Sequence, residues 1–198
     1  MSVTSTSAPE ERPLRADARR NRERIIASAV EVFARDGAEA QMDDVAREAG
    51  VGVGTLYRHF PTKDALLAEL VRQKLARLAA VMAEALEAPD DPAGAFERSL
   101  RGAAAVASQD ACMQEIYSSI GPDVFAAVAD EQSRLNSLVG ELIAVAKQGG
   151  EVREDLEVRD VEMLMCGLGA AMHSARPGFD WSRHLELILA AVRPTAET

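Results

Sequence analysis

Apolar residues recur every three or four positions along most of this chain, which is the spacing of one face of an α-helix. Four such positions predict a first helix over residues 17–35: Ile26, Val30, Phe33 and Ala34. Glycines and prolines then separate segments that predict eight more helices, at about 42–49, 53–59, 63–88, 92–108, 112–118, 122–147, 158–174 and 181–192. No segment alternates apolar and polar residues as a half-buried strand does. The pattern therefore predicts an all-α fold of about nine helices.

The composition is typical of a folded helical chain, with 47% apolar, 27% charged and only 4% aromatic residues. The longest uncharged apolar run, residues 163–172, is too short to cross a bilayer, and no apolar segment typical of a secretory signal follows Met1. The two cysteines, Cys112 and Cys166, lack the spacing of a zinc site or a disulfide framework. We therefore expect a cytoplasmic protein that spans no membrane and has no metal or cofactor.

Charge is distributed unevenly along the chain. The formal net charge is −10, but residues 12–24 carry six arginines against Asp17 and Glu23. A basic stretch on an acidic body permits nucleic-acid binding in one orientation only. On charge alone, however, a solvated start of the first helix is the favoured interpretation.

The most informative segment holds two short helices joined by Gly50-Val51-Gly52. Small apolar residues on the first helix let the second approach closely, and Leu56 and Phe60 would anchor the second helix on the core. A compact helical hairpin with no DNA to bind is the alternative interpretation. The opposite face of the second helix has small residues at its start and polar residues towards its end: Val53, Gly54, Thr55, Tyr57, Arg58 and His59. Such a face is typical of a DNA-reading helix.

Residues 43–66 resemble the DNA-binding signature of the TetR family of transcriptional repressors, and upstream Ile26, Ala29, Phe33 and Gly37 fit the same pattern. The resemblance implies an all-helical homodimer with an N-terminal helix-turn-helix domain and a C-terminal domain that binds a small-molecule inducer. Residues 1–16, rich in Ser, Thr, Pro and charge, predict a mobile arm, and the resemblance divides the rest into a DNA-binding domain (17–66) and a ligand-binding and dimerisation domain (67–198). Two positions depart from the family pattern. Gln41 stands where the family often has Ser or Thr, which weakens the N-cap of the first short helix. Gly52 stands where the family often has Ser, which removes a phosphate-facing hydroxyl.

The resemblance also assigns roles to the residues around the second short helix. It places Thr55, Tyr57, His59 and Lys63 on the phosphate backbone, and Val53, Gly54 and Arg58 on the floor of the major groove. The guanidinium of Arg58 can grip guanine, although a phosphate contact is as common a use. Tyr57 could instead be a core tyrosine, and His59 could merely cap its helix. Gln41 and Arg47 are weaker contact candidates, and a solvated surface is the favoured interpretation of Arg47. Arg15, Arg19 and Arg20 could reach an adjacent groove as a flexible arm, but solvation is favoured for them as well.

A ligand pocket in the C-terminal two-thirds is implied by the resemblance, and the residues there permit it. Methionines adapt to varied ligands, and buried Tyr117, His173 and Trp181 each need a partner for a polar atom. For any single residue, ordinary core packing is the favoured alternative. The candidate pocket residues are Met82, Leu86, Phe96, Leu100, Met113, Ile116, Tyr117, Phe125, Met163, Cys166 and His173.

The last two predicted helices suggest association of two chains. Small residues at 167 and 169–171 allow close packing, and an apolar stripe follows on the final helix. One pair of helices from each subunit would form a four-helix bundle with two-fold symmetry; the alternative is that both pack only within one chain. The candidate interface residues are Leu168, Met172, Leu185, Ile188, Leu189 and Val192.

We therefore expect a sequence-specific DNA-binding regulator, a repressor that binds a palindromic operator as a homodimer and is released by a small-molecule inducer. An activator or architectural protein without an inducer is the alternative. An enzyme using Cys112 or Ser118 with His173 is disfavoured, because no nucleophile elbow, zinc motif or phosphate loop accompanies these residues.

Overall fold

The computed structural model describes residues 11–87, 94–109, 113, 116–117, 120–172 and 180–194. These residues form nine α-helices and no strand, in agreement with the predicted all-α fold. The helices are α1 (Glu11–Asp36), α2 (Met42–Glu48), α3 (Val53–His59), α4 (Lys63–Glu87), α5 (Ala95–Ser108), α6 (Pro122–Ala127), α7 (Ala129–Gln148), α8 (Val158–Met172) and α9 (Trp181–Ala191). A short 3₁₀ turn, Gly37–Glu39, follows α1.

Two helices differ most from their predicted bounds, and α5 begins at Ala95 rather than at 92, after Gly94 with a φ of +82°. Helix α1 begins at Glu11, six residues before the predicted start. Pro13 is tolerated there because it lies in the first turn, where a missing N–H costs no intrahelical bond. The helix predicted over 122–147 is broken at Val128, whose buried side chain and φ of −120° end α6 before α7 begins. The helix predicted at 112–118 lies mostly outside the described residues.

The N-terminal helices pack around a small apolar core. Residues Ile25, Ala29 and Phe33 of α1 are buried, and they meet the buried Val45 of α2 and Leu56 of α3. Helices α2 and α3 both contact α1, so α1 is the platform on which the two short helices are held.

Helix α4 links the N-terminal helices to the rest of the molecule. Its buried residues extend from Leu66 to Ala85, close to its full length. The helix contacts α1 at one end and packs against α5, α6 and α7 over the remainder. A displacement of the C-terminal helices therefore has a direct mechanical route to the N-terminal ones.

Helices α8 and α9 complete the C-terminal bundle by packing on each other and on α5. Helix α9 begins with a side-chain cap, because the carboxylate of Asp180 accepts a hydrogen bond of 2.9 Å from the backbone N–H of Ser182. None of the described helices is both long and apolar enough to cross a membrane.

Candidate nucleic-acid interface

The turn between α2 and α3 has the geometry of a tight helix stop. Gly50 has a φ of +61°, the left-handed conformation that glycine adopts most easily. The backbone N–H of Gly50 donates to the carbonyl of Arg47 at 3.1 Å, and that of Val51 donates to Ala46 at 3.0 Å. These bonds satisfy the last carbonyls of α2 and fix the direction in which α3 leaves.

An arginine of α1 holds this turn from the other side. The guanidinium of Arg24 donates to the carbonyl of Ala49, and it lies 3.4 Å from the carbonyl of Gly50. A cation at a helix C-terminus also complements the helix dipole. A Cβ added at Gly50 would lie 2.8 Å from Nη2 of Arg24, so a larger residue would displace the end of that arginine as well as strain the left-handed backbone.

Helix α3 has one buried and one exposed face. Leu56 is fully buried and Phe60, directly after the helix, is also buried. On the opposite face, the exposed fractions of Val53 and Tyr57 are 42% and 43%, and Gly54 and Arg58 are exposed as well. A Cβ at Gly54 would have no atom within 4 Å. Another molecule can therefore approach the start of α3 closely.

The predicted phosphate contacts border this exposed face. Thr55, His59 and Lys63 are half-buried, and Nζ of Lys63 lies 5.4 Å from the centroid of the Phe33 ring. The hydroxyl of Thr62 accepts a hydrogen bond of 3.0 Å from the N–H of Ala65, which caps α4 where Lys63 begins it. The cation thus lies at a helix N-terminus, a position suited to a phosphate.

An open groove brings three of the predicted DNA contacts together: Gln41, Tyr57 and Lys63. Its other lining residues are Met42, Asp43, Asp44 and Thr62. The groove lies where the starts of α2 and α4 meet the exposed side of α3. As expected, Gln41 precedes α2 without capping it; its Nε2 donates instead to the carbonyl of Glu39 at 2.7 Å.

The weaker arginine candidates are bound to carboxylates on their own helices. Arg47 donates to Asp44 at 2.7 Å, Arg20 is paired with Asp17, and Arg19 lies 3.7 Å from Glu23. All three side chains are largely exposed. In the absence of DNA, the solvated-surface interpretation therefore fits Arg47, Arg19 and Arg20.

Several predicted pocket residues lie inside the C-terminal bundle. Met82, Phe96, Leu100, Met113 and Ile116 are buried, and Leu86 and Tyr117 are half-buried. His173 lies outside the described residues. These positions fit the core alternative as well as the pocket.

Three predicted pocket residues are instead on the surface: Phe125, Met163 and Cys166. They occupy the outward faces of α6 and α8, whose inward positions are held by Val124, Val161 and Leu168. This corrects their assignment, because an outward side chain cannot line an enclosed cavity within the same chain.

The dimer stripe also differs from its prediction. Leu168, Leu185, Ile188, Leu189 and Val192 are all buried inside the single chain, and Met172 is half-buried. These side chains pack α8 and α9 within the bundle, and they leave little surface for a partner. The apolar residues that α8 and α9 do expose are others: Met163, Gly167, Ala170, Leu187, Ala190 and Ala191.

Two family models match the chain. The model described as bacterial regulatory proteins, tetR family, matches residues 25–70, which contain α2 and α3. The model described as the C-terminal domain of SbtR-like transcriptional regulators matches residues 91–194. A helix-turn-helix-type transcriptional regulator of Staphylococcus aureus strain USA300 is 41% identical over 63 residues, which are 31% of this chain and 34% of that protein. The match thus spans about a third of the curated relative.

Solved structures resemble the chain over most of its length. The TetR transcription regulatory protein from Mycobacterium vanbaalenii is 31% identical, with 91% of this chain and 99% of that chain covered and a TM-score of 0.63. The regulator FadR from Bacillus subtilis, solved in complex with stearoyl-CoA, has the same fold, with a TM-score of 0.70 at 19% identity over 86% of this chain and 99% of that chain.

Proposed function

This chain belongs to the TetR family of DNA-binding transcriptional regulators, and we propose that it is a repressor. In this proposal a homodimer binds a palindromic operator, and a small molecule bound among the C-terminal helices releases it. Residues 17–66 form the DNA-binding part, and residues 67–198 form the ligand-binding and dimerisation part. The family is one of transcription regulators rather than of enzymes.

The observation that carries the proposal is the two-faced packing of α3. Leu56 and Phe60 fix the helix on α1 and leave Val53, Gly54, Tyr57 and Arg58 exposed along its other side. A recognition helix needs a rigid attachment on one face and accessible side chains on the other, because base edges are read in the major groove by groups held at fixed positions.

We assign the contacts within that surface by their position. Thr55, Tyr57, His59 and Lys63 bind phosphates, Val53 and Gly54 allow the backbone to approach the groove floor, and Arg58 reads a guanine. Gln41 approaches the backbone from the start of α2, since it lines the same groove as Tyr57 and Lys63. Phosphate contacts set the register of the protein on the duplex, and the base contact supplies discrimination.

The homodimer is assigned to the exposed apolar residues of α8 and α9. Met163, Gly167 and Ala170 on one helix and Leu187 and Ala190 on the other lie on outward faces. Two copies related by a two-fold axis would bury these faces against each other. The dimer would then present two α3 helices to half-sites about 34–36 Å apart, one turn of B-DNA.

Ligand control is assigned to the helices that pack on α4. The FadR structure, which shares this fold, was solved with stearoyl-CoA, which supports a small organic molecule as the class of ligand. Such a molecule releases the operator only if it binds better to the conformer with the wrong distance between its two α3 helices. A thermal-shift screen of metabolites tests this step, and no stabilisation by any compound would favour an activator or architectural protein without an inducer.

The test of DNA recognition is selection of binding sites from random duplexes by the full chain, followed by sequencing. We expect an inverted repeat, bound by two chains per duplex. Substituting Arg58 by Ala should relax the preference at one base pair in each half-site, a loss of about 1–3 kcal/mol in discrimination. Recovery of no preferred sequence would contradict the proposal.

A further inference from the structure

Four charged side chains join the DNA-reading helices to the C-terminal bundle without a gap. Arg22 of α1 binds Glu69 of α4, Glu69 binds Arg72 on the same helix, and Arg72 binds Glu131 of α7. We call these four residues the Arg72 network. Its two arginines and two carboxylates come from three helices, and α4 supplies the middle pair.

At its first end the network touches the residue that anchors α3. The guanidinium of Arg22 lies 5.3 Å from the centroid of the Phe60 ring, at cation–π distance. The same guanidinium is 2.8 Å from Oε2 of Glu69. Because Phe60 directly follows α3 and is buried, a movement of Arg22 relative to α4 acts on the base of the recognition helix.

At its other end the network clasps the break between α6 and α7. Nη2 of Arg72 donates to the carbonyl of Ala127 at 3.0 Å, and Nε donates to Oε1 of Glu131 at 2.7 Å. These two acceptors lie on either side of Val128, where the helix is interrupted. One guanidinium therefore holds both sides of the α6–α7 corner, which we define as residues 127–131.

The remaining nitrogen of Arg72 closes the link to the reading helices. Nη1 lies 3.1 Å from Oε2 of Glu69, the oxygen that also accepts from Arg22, while Oε1 of Glu69 accepts from Gln73 at 3.0 Å. The planar fork of arginine serves these three acceptors from three separate nitrogens, whereas a lysine must donate all of its hydrogen bonds from one ammonium nitrogen. The exposed fraction of the Glu69 side chain is 12%, so removing one of its ion-pair partners would leave a largely buried charge uncompensated and destabilise the fold.

We propose that Arg72 is a positioning residue that fixes the orientation of the reading helices relative to the α6–α7 corner, and so sets the operator spacing that the dimer accepts. This regulation rests on the proposed function, because it presumes a dimer with two reading heads. A change at the corner moves the carbonyl of Ala127 and the carboxylate of Glu131 together. The Arg72 network passes that change to Phe60 through Glu69 and Arg22.

The test compares Arg72→Gln with a matched control, Arg101→Gln. Arg101 also bridges two helices through carboxylates, with 2.7 Å contacts to Glu97 of α5 and Glu186 of α9. The two side chains are similarly exposed, at 37% and 44%. The contacts of Arg101 stay inside the C-terminal bundle, so its loss removes a comparable set of ion pairs without touching the link to α3.

The readout is affinity, by fluorescence anisotropy at fixed salt, for the operator selected with the wild-type chain and for duplexes with half-sites one base pair closer or farther apart. We expect Arg72→Gln to reduce the preference for the native spacing by about fivefold or more, within the usual range of coupling between sites. Arg101→Gln should keep the wild-type preference. A merely structural role would lower affinity for all three duplexes equally.

Two further variants separate charge from geometry. Arg72→Lys keeps the charge but donates from one nitrogen in place of three separated ones, so it should resemble Arg72→Gln in the spacing assay. Glu131→Gln weakens the contact of Arg72 to α7 and leaves its bond to the Ala127 carbonyl; it should reproduce part of the effect and add nothing to Arg72→Gln in the double variant. If Arg72→Gln fails to fold, Glu131→Gln and Arg72→Lys supply the test.

If the wild-type chain selects an inverted repeat but Arg72→Gln and Arg101→Gln show the same spacing preference, this inference is wrong and the proposed function is unaffected. Full rescue by Arg72→Lys would also overturn this inference, because the fork would then be unnecessary. If the wild-type chain selects no inverted repeat, both this inference and the proposed function are wrong, and the two failures are therefore distinguishable.

Discussion

Gly50 and Gly54 lie four residues apart, and a side chain added at each would have a different consequence. At Gly50 the backbone has a positive φ, and a Cβ would come within 2.8 Å of Nη2 of Arg24. At Gly54, inside α3, the backbone is helical and a Cβ would meet open space. The first glycine serves the fold, and the second leaves room for a ligand on the exposed face of α3.

The pair Gly50→Ala and Gly54→Ala tests this distinction. We expect Gly50→Ala to lower the free energy of unfolding by about 1–2 kcal/mol or more, from the left-handed backbone alone. Gly54→Ala should raise the free energy of unfolding by up to about 1 kcal/mol, because alanine favours a helix, yet it should weaken operator binding. Urea unfolding and anisotropy measure the two effects. Unchanged operator affinity in Gly54→Ala would remove Gly54 from the DNA contact surface.

The residues that position α3 divide into those that sequence reveals and those that it does not. Leu56 and Phe60 are recognisable because they are four residues apart, the spacing of one helix face, although Phe60 directly follows α3. Arg24 is not, because its acceptor at Ala49 is 25 residues away and nothing in the local pattern links them. The same holds for Arg72 and Glu131, which are 59 residues apart. Long-range polar contacts leave no periodic signal.

At the scale of elements, the helices that the pattern predicts well are those that glycine, proline or a cap delimits. The stop at Gly50 and the start of α4 after Thr62 both follow from residue type. The break at Val128 has no such mark, since neither glycine nor proline is present there. It accompanies tertiary contacts instead: Val128 is buried, and the Ala127 carbonyl binds Arg72.

The junction of α1 with α4 should make stability depend on pH through Glu69. Burial raises the pKa of Glu69, but hydrogen bonds from Gln73 and Arg22, the charge of Arg22 and a hydrogen bond from Arg72 together hold it below its ordinary value. A carboxyl with a lowered folded-state pKa stabilises the fold above its unfolded pKa of 4.5, and this stabilisation is lost as pH falls through the folded pKa.

Glu69→Gln should therefore be less stable than wild type at pH 7, and the difference should shrink as pH falls from 4.5 through the lower folded-state pKa of Glu69. Urea midpoints between pH 7 and pH 3 measure it. Glu97→Gln is the control, because Glu97 belongs to a more exposed ion pair with Arg101 and its loss should matter little at any pH. A difference for Glu69→Gln that stays constant with pH would contradict the assignment.

At the scale of the whole molecule, periodicity alone cannot tell packing within one chain from packing between two. The stripe of Leu185, Ile188 and Leu189 has the spacing expected of either, and the structure places it in the chain's own core. What remains for a partner is the opposite side of the same helices. There Leu187 is exposed among small residues of α9, and Met163 is exposed on α8.

Leu187→Glu should consequently separate the dimer while leaving each chain folded, because a carboxylate would be buried between two copies without a partner. Val30→Glu is the matched control, since Val30 is also an exposed apolar residue but lies on α1, away from α8 and α9. Sedimentation equilibrium should give twice the chain mass for wild type and Val30→Glu and one chain mass for Leu187→Glu, with unchanged helical circular dichroism in all three.

The separated chain should also bind the operator more weakly, because one subunit engages only one half-site and loses the effective concentration that the second supplies. If Leu187→Glu still forms a dimer and binds the operator with wild-type affinity, the interface lies on another surface.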